Sequence, residues 1–225
     1  PRRAFNGVKM KVIGDESSEA DNYYVEYEAG DNAQGVWKES IAEGADSTLN
    51  AATMPWKLVR NANGTFTFSP NTWVSRSVGD AISASDPSFV GKKLNDIFFH
   101  RNRLGVIADE NVIFSRSGEY FSFYPETVTT VLATDPIDVA VSHTKVSILR
   151  HAIPFNETLL LFSDQTQFML SAGDSLTPET VSINQTTEYE SSLQAEPVGA
   201  GEYVYFATNR EDFAGVREFF VQADT

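Results

Sequence analysis

The stretch NDIFFHRNRLGVIADENVIFSRSG, residues 95–118, decides the fold. Asn95 to His100 and Arg103 to Ala108 are rich in the aromatic and β-branched side chains that fill a pleated surface. Arg101-Asn102 joins them as a two-residue turn. After the polar break Asp109-Glu110-Asn111 comes a third strand, Val112 to Ser117, ended by Gly118. Three short strands with turn chemistry between them make an antiparallel meander.

Downstream the pattern recurs. Thr158 to Ser163, a turn at Asp164-Gln165, Thr166 to Ser171, a loop through Gly173-Asp174, and Glu179 to Asn184 form a comparable unit. A third is expected from Glu202 to Thr208 and Val216 to Gln222. Taking Val112, Phe168 and Val216 as equivalent positions sets the units 56 and 48 residues apart, a spacing found in propeller blades. Three blades do not close a ring, which needs roughly four to eight, and strand-like sequence runs to Val221. The chain therefore reads as a piece excised from a longer polypeptide. Between the units, Asp138 to Ile153 fits two periods: Ile137, Val139 and Val141 alternate as in a strand, whereas Val146, Leu149 and Ile153 fit a helix face.

Upstream, Ser83 to Pro87 is small, polar and turn-prone, and it places a boundary between a β-rich subdomain, residues 1–82, and a partial propeller-like domain, residues 83–225. In the first, Tyr23, Val25 and Tyr27 alternate with Tyr24, Glu26 and Glu28 as in a half-buried strand, which Gly30-Asp31-Asn32 breaks. Gly35 to Ser40 is a second strand. Trp56 to Arg60 and Thr65 to Phe68 flank Asn61-Ala62-Asn63-Gly64, a hairpin signal. Residues 46–54 alone read as helical. The expected fold class is thus mainly β, built from antiparallel meander units.

Charge and composition narrow the function. With 17 Lys and Arg against 31 Asp and Glu, the net charge of -14 excludes a protein that grips phosphates through a cationic surface. Cysteine is absent, so there is no disulfide framework, thiolate nucleophile or cysteine zinc site. No apolar run approaches the roughly 20 residues that span a bilayer, and Pro1-Arg2-Arg3 leads into no signal-type stretch.

The motifs that carry chemistry are incomplete. Gly173-Asp174-Ser175-Leu176 spells an esterase nucleophile signature, but His100, His143 and His151 all precede Ser175 and no late Asp-x-x-His follows. His143 and His151 are too widely spaced to share one helix turn as metal ligands. Asp109-Glu110 and Asp135 with Asp138 are carboxylate pairs of the type glycosidases use, yet they lie in turn sequences. Asn156-Glu157-Thr158 and Asn184-Gln185-Thr186 match glycosylation sequons without any secretory signal beside them. No catalytic residue, metal ligand or cofactor is assigned. One charge feature departs from the acidic background: Lys92, Lys93, Arg101, Arg103 and Arg116 form a basic cluster around the first meander, a candidate partner-docking patch, with strand-end charges that discourage edge aggregation as the bland reading.

Residues 87–105, PSFVGKKLNDIFFHRNRLG, closely resemble the tail nozzle family, tail tubular protein B, of short-tailed bacteriophages. The likeness extends through Glu110 to Arg116, Phe123-Tyr124-Pro125, Asp135 to Ser142, Pro154 to Glu157 and Phe162 to Phe168, and earlier through Val12 to Asp15, Tyr23 to Val25 and Thr53 to Pro55. It covers nearly the whole chain. The resemblance implies a ring of copies, usually six, below the tail adaptor (tail tubular protein A). That ring forms a tube through which genomic double-stranded DNA leaves without specific binding, and it carries docking surfaces for tail fibres. It also implies a β-propeller-like domain, a virion tail location, no membrane insertion and no enzyme activity. Acidic side chains on the tube wall would repel passing phosphates within a Debye length of about 8–10 Å. Two other classes compete: a module binding host-surface glycans, and a tail-borne polysaccharide hydrolase.

Overall fold

The computed structural model describes residues 4–30, 34–144 and 146–220. The expected break at Asp31-Asn32, the leading Pro1-Arg2-Arg3 and the expected strand end Val221-Gln222 lie outside them. The described residues form antiparallel sheets with one short 3-10 turn, Glu19–Asp21. The chain divides into two compact units, one of residues 1–86 with 121–135, the other of residues 87–120 with 136–225.

In the first unit, β1 (Lys9–Val12), β2 (Tyr23–Ala29) and β3 (Gly35–Ser40) form a sheet in that order. Tyr27 sits opposite Trp37 with ring centroids 5.1 Å apart, and its side chain is buried as the alternation in β2 requires. A hairpin follows, β4 (Trp56–Arg60) and β5 (Phe66–Pro70), turned by Gly64 at φ +83°. Residues 46–54, expected as a helix, are irregular, with a turn at 51–53. The Asp46 carboxylate accepts the Thr48 N–H (3.3 Å), the Asn50 side chain accepts the Ala52 N–H (3.0 Å), and the Asn50 carbonyl accepts both N–H and hydroxyl of Thr53. These short polar side chains satisfy the backbone locally and so compete with helix.

Residues 121–135 carry no regular secondary structure and are held to the first unit by polar side chains. Glu39 accepts the Val128 N–H (2.7 Å) and the Thr127 hydroxyl (2.6 Å). Arg76, almost wholly buried, donates to Asp86 Oδ1 at 2.5 Å and lies 5.0 Å from the Tyr124 ring, while the Tyr124 hydroxyl donates to the same carboxylate oxygen at 2.7 Å. Burial, and next the hydrogen bond to Asp86, push the Tyr124 phenol far above its ordinary range, so it stays a donor.

Asp80 is an acid-sensitive group of this unit. Burial alone would raise its pKa, but the N–H groups of Ser83 and Ile82 and the hydroxyls of Tyr24 and Ser83 all donate to the carboxylate and together lower it from 3.8 to about 2. A depressed folded-state pKa contributes stability above the unfolded value, and that contribution is lost as pH falls from 3.8 through about 2. Asp80→Asn is therefore expected to flatten the acid limb of a urea-midpoint profile between pH 4 and 2, which thermal or urea melts in that window will read.

The second unit holds three meanders. The first sheet is β6 (Leu94–His100), β7 (Arg103–Ala108), β8 (Asn111–Phe114) and β9 (Ile137–Ala140). The second is β10 (Leu149–Phe155), β11 (Thr158–Ser163), β12 (Gln167–Ser171) and β13 (Ser182–Thr187), and the third is β14 (Val198–Ala200), β15 (Tyr203–Arg210) and β16 (Phe213–Phe219). Residues 138–153 thus end one sheet and begin the next, so the helical alternative is not taken up. The expected strand at Glu179 starts three residues later, because Thr177 and Thr180 close a turn through mutual hydroxyl and N–H bonds while the Thr180 hydroxyl donates to the Ser175 carbonyl at 2.7 Å.

β10 packs beside β6 and beside β14, so the first strands of the three sheets are neighbours. Strand β11 explains the stacking. Thr158-Leu159-Leu160-Leu161-Phe162-Ser163 is apolar on both faces, as a strand covered on both sides must be. Leu159 and Leu161 join Phe98, Ile107, Val112 and Phe114 in one core, whereas Leu160 and Phe162 join Val204 and Phe206 in another. The second sheet is the middle layer of a stack.

Candidate interaction surfaces

A meander sends successive turns to opposite ends of its sheet. At one end of the second unit lie the β6–β7 turn, the β10–β11 turn and the β12–β13 loop, held together by Arg101. Its guanidinium donates to the Gly173 carbonyl at 2.9 Å and lies 3.6 Å from the Glu157 carboxylate. Arg101 and Asn102 both adopt positive φ (45° and 61°), the conformation a two-residue hairpin turn demands.

The basic cluster is divided by the strand it surrounds. Arg101, Arg103 and Arg116 lie at this end; Lys92 and Lys93 precede β6 at the other, about 20 Å away at the strand rise of ~3.3 Å per residue. Arg103 is fully buried, donating to the Ser115 carbonyl at 2.8 Å and the Leu176 carbonyl at 3.2 Å. Arg116 pairs with Glu119 at 2.8 Å and Lys92 with Asp109 at 3.2 Å, while Lys93 is exposed. His100 adds no charge: desolvation, then the charge of Arg101, lower its pKa to about 4. Arg103 is thus part of the interior, and the solvent-reaching cations do not form one patch.

At the Lys92 end the turns are acidic. Asp109 and Glu110 lie in the β7–β8 turn, Asp164 in the β11–β12 turn, Glu188, Glu190 and Glu196 in the β13–β14 link, and Glu211 and Asp212 in the β15–β16 turn. The Ser191 N–H donates to the Asp164 carbonyl, and the Leu149 and Val141 N–H groups to the Asp109 and Glu110 carbonyls, which confirms the shared end. Gln167, fully buried, fixes the link: its amide donates to the Tyr189 carbonyl (2.8 Å) and accepts the Thr187 hydroxyl (2.8 Å) and Tyr189 N–H (3.2 Å). His143 Nε2 lies 3.3 Å from Glu188. The opposite turns carry fewer acids, Glu157, Asp174, Glu179 and Glu202; the turn acids were visible in the sequence one by one, and their uneven division between the two ends needed the topology.

The remaining candidates stay apart. Ser175 is exposed in a turn whose neighbours are Thr177 and Thr180. Among the described residues, no three His, Cys, Asp or Glu side chains stand close enough to hold a metal ion, and no helix is long and apolar enough to cross a membrane.

The family model for bacteriophage nozzle proteins matches residues 1–225. The tail tubular protein gp12 of Escherichia phage T7 is 42% identical over 224 residues, covering 100% of this chain, and the chain spans 28% of that protein's length. A match over the full chain places it: the chain belongs to the bacteriophage nozzle protein family, and the virion tail is its location.

Proposed function

We propose that this chain is wall material of a tubular nozzle through which the phage genome leaves the virion. The observation that carries the reading is the excess of turn and link carboxylates at the Lys92 end of the second unit, eight against Glu157, Asp174, Glu179 and Glu202 in the opposite turns, in a chain of the nozzle family. A duplex carries one phosphate charge per ~1.7 Å of axis, and Lys or Arg contacts would retain it by releasing counterions. A carboxylate-rich wall repels it at close range and leaves it free to slide. On this reading the acidic end faces the duplex, copies surround the bore as a ring of six, and the protein acts mechanically and not as an enzyme.

The second unit is read as three blades of a β-propeller, completed by chain beyond these residues. Its support is the meander order of each sheet and the adjacency of the first strands β6, β10 and β14. Tail adaptor and tail fibre proteins are the proposed neighbours. Among the basic residues, a docking role falls to exposed Lys92 and Lys93 at one end and to Arg101 and Arg116 at the other, separate contacts and not one patch.

The test is charge reversal in the full-length protein. Glu190, Glu196, Glu211 and Asp212 replaced by Lys should leave particle assembly intact and slow DNA release, more at low ionic strength than at high. Unchanged release from correctly assembled particles would remove the sliding role.

A further inference from the structure

The β4–β5 hairpin of the first unit pairs Trp56 with Pro70, Leu58 with Phe68 and Arg60 with Phe66. Alternation therefore puts Trp56, Leu58, Phe66, Phe68 and Pro70 on one face, with Lys57, Val59, Thr67 and Ser69 on the other. Neither face is covered. Trp56 is 46% exposed, Leu58 63%, Phe66 61% and Phe68 66%. At ~150–250 Å² per aromatic side chain, the exposed face amounts to roughly 500 Å², near the limit monomers leave open and about half of one partner's share in a standard interface.

The hairpin is nevertheless stiff. Trp56 and Phe68 stack at 5.1 Å, the Asn61 amide donates to the hydroxyls of Thr65 and Thr67 (3.0 Å each), and the Asn63 side chain accepts the Thr65 hydroxyl at 2.7 Å. A two-stranded ribbon in water is marginal alone, and one already rigid loses little entropy on docking.

Charge identifies the occupant. Residues 47–79 contain Lys57, Arg60 and Arg76 and no acidic side chain, while the rest of the chain carries all 31. With Arg60 on the apolar face beside Phe66 and Lys57 on the other, an acid-free ribbon complements an acidic surface, and a second copy of this chain, at net charge -14, offers one. Duplex DNA fits worse, because two cations neutralise few phosphates and the exposed rings have no unstacked bases to meet.

We propose that the β4–β5 hairpin is an arm that lays its Trp56–Phe68 face on the acidic surface of a neighbouring copy. The proposal rests on the reading of the protein as a ring of copies. The test uses the full-length protein, with mass measured by native mass spectrometry and sedimentation. Wild type should form rings, whereas Leu58→Glu with Phe68→Glu should give monomers with an unchanged far-UV spectrum. Lys57→Glu with Arg60→Glu, which keeps the apolar face, should weaken assembly at least tenfold at low salt, with the difference shrinking at high salt. Rings formed equally by wild type and both variants overturn the arm alone; a wild type that stays monomeric overturns the ring reading and the arm with it. Intact rings that have lost only DNA retention overturn the proposal in favour of a nucleic-acid contact.

Discussion

Replacing Arg103 with methionine is expected to lower the unfolding free energy by about 2–5 kcal/mol, since two buried carbonyls lose their donor and each costs ~1–3 kcal/mol when left unsatisfied. Methionine keeps much of the volume, so the loss reports hydrogen bonding more than cavity formation. The position explains the size. Arg103 opens β7 and reaches the Ser115 carbonyl just past β8 and the Leu176 carbonyl in the loop before β13, so one guanidinium ties the first sheet to the second. Ser115, itself fully buried, depends on the same geometry: its hydroxyl accepts the Leu104 N–H at 3.0 Å and donates to the Arg116 carbonyl at 3.0 Å. Arg103→Lys should recover only part of the loss, because an ammonium cannot present the planar fork that reaches two separated acceptors. Urea denaturation followed by far-UV dichroism measures both variants. An Arg103→Met midpoint within error of wild type would show the carbonyls to be satisfied without it.

How far the sequence carries can be judged from particular residues. Val112, Phe168 and Val216, equivalent by their spacing along the chain, fall in β8, β12 and β16, the third strand of each meander. They were legible because turn chemistry is local: Arg101-Asn102 and Asp109 adopt positive φ where the pattern places turns. The bonding of residues 121–135 to the first unit was not legible, since it depends on single contacts such as Glu39 with Val128 across 89 positions. Neither was β14, whose Val-Gly-Ala carries almost no strand signal.

The same reasoning separates what the sequence revealed of the interaction surfaces from what it concealed. Lys92 to Arg116 is a cluster along the chain because meanders return every dozen residues, yet each return crosses the sheet and sends neighbours in sequence to opposite ends. Burial also decided the role of Arg103, and nothing near it in sequence marks an arginine as interior. Conversely, the hairpin was legible from its Asn-Gly signal, whereas the exposure of its apolar face was not. An apolar pattern specifies that a surface will be covered; it does not specify by which chain.

Truncating Leu160 and Leu161 one at a time is the most direct dissection of the stack. Both side chains are fully buried, and each replacement by alanine should cost about 2–5 kcal/mol, part transfer and part cavity. The two costs should appear in different places. Leu161 faces the core shared with Phe98, Ile107 and Phe114, so its truncation should loosen β6–β9 and raise amide exchange there. Leu160 faces Val204 and Phe206, so its truncation should raise exchange in β14–β16 and leave β6–β9 protected. The two side chains belong to different cores but share the β11 backbone, so the departure of the double variant from the sum of the single losses measures how far the two layers are coupled. A combined loss of about 4–10 kcal/mol reaches the lower part of the ~5–15 kcal/mol of an ordinary domain, and the double variant should be marginally stable at room temperature. If both single variants instead raised exchange uniformly across all three sheets, β11 would not separate two packing layers, and the stacked order from which the blade reading proceeds would fail.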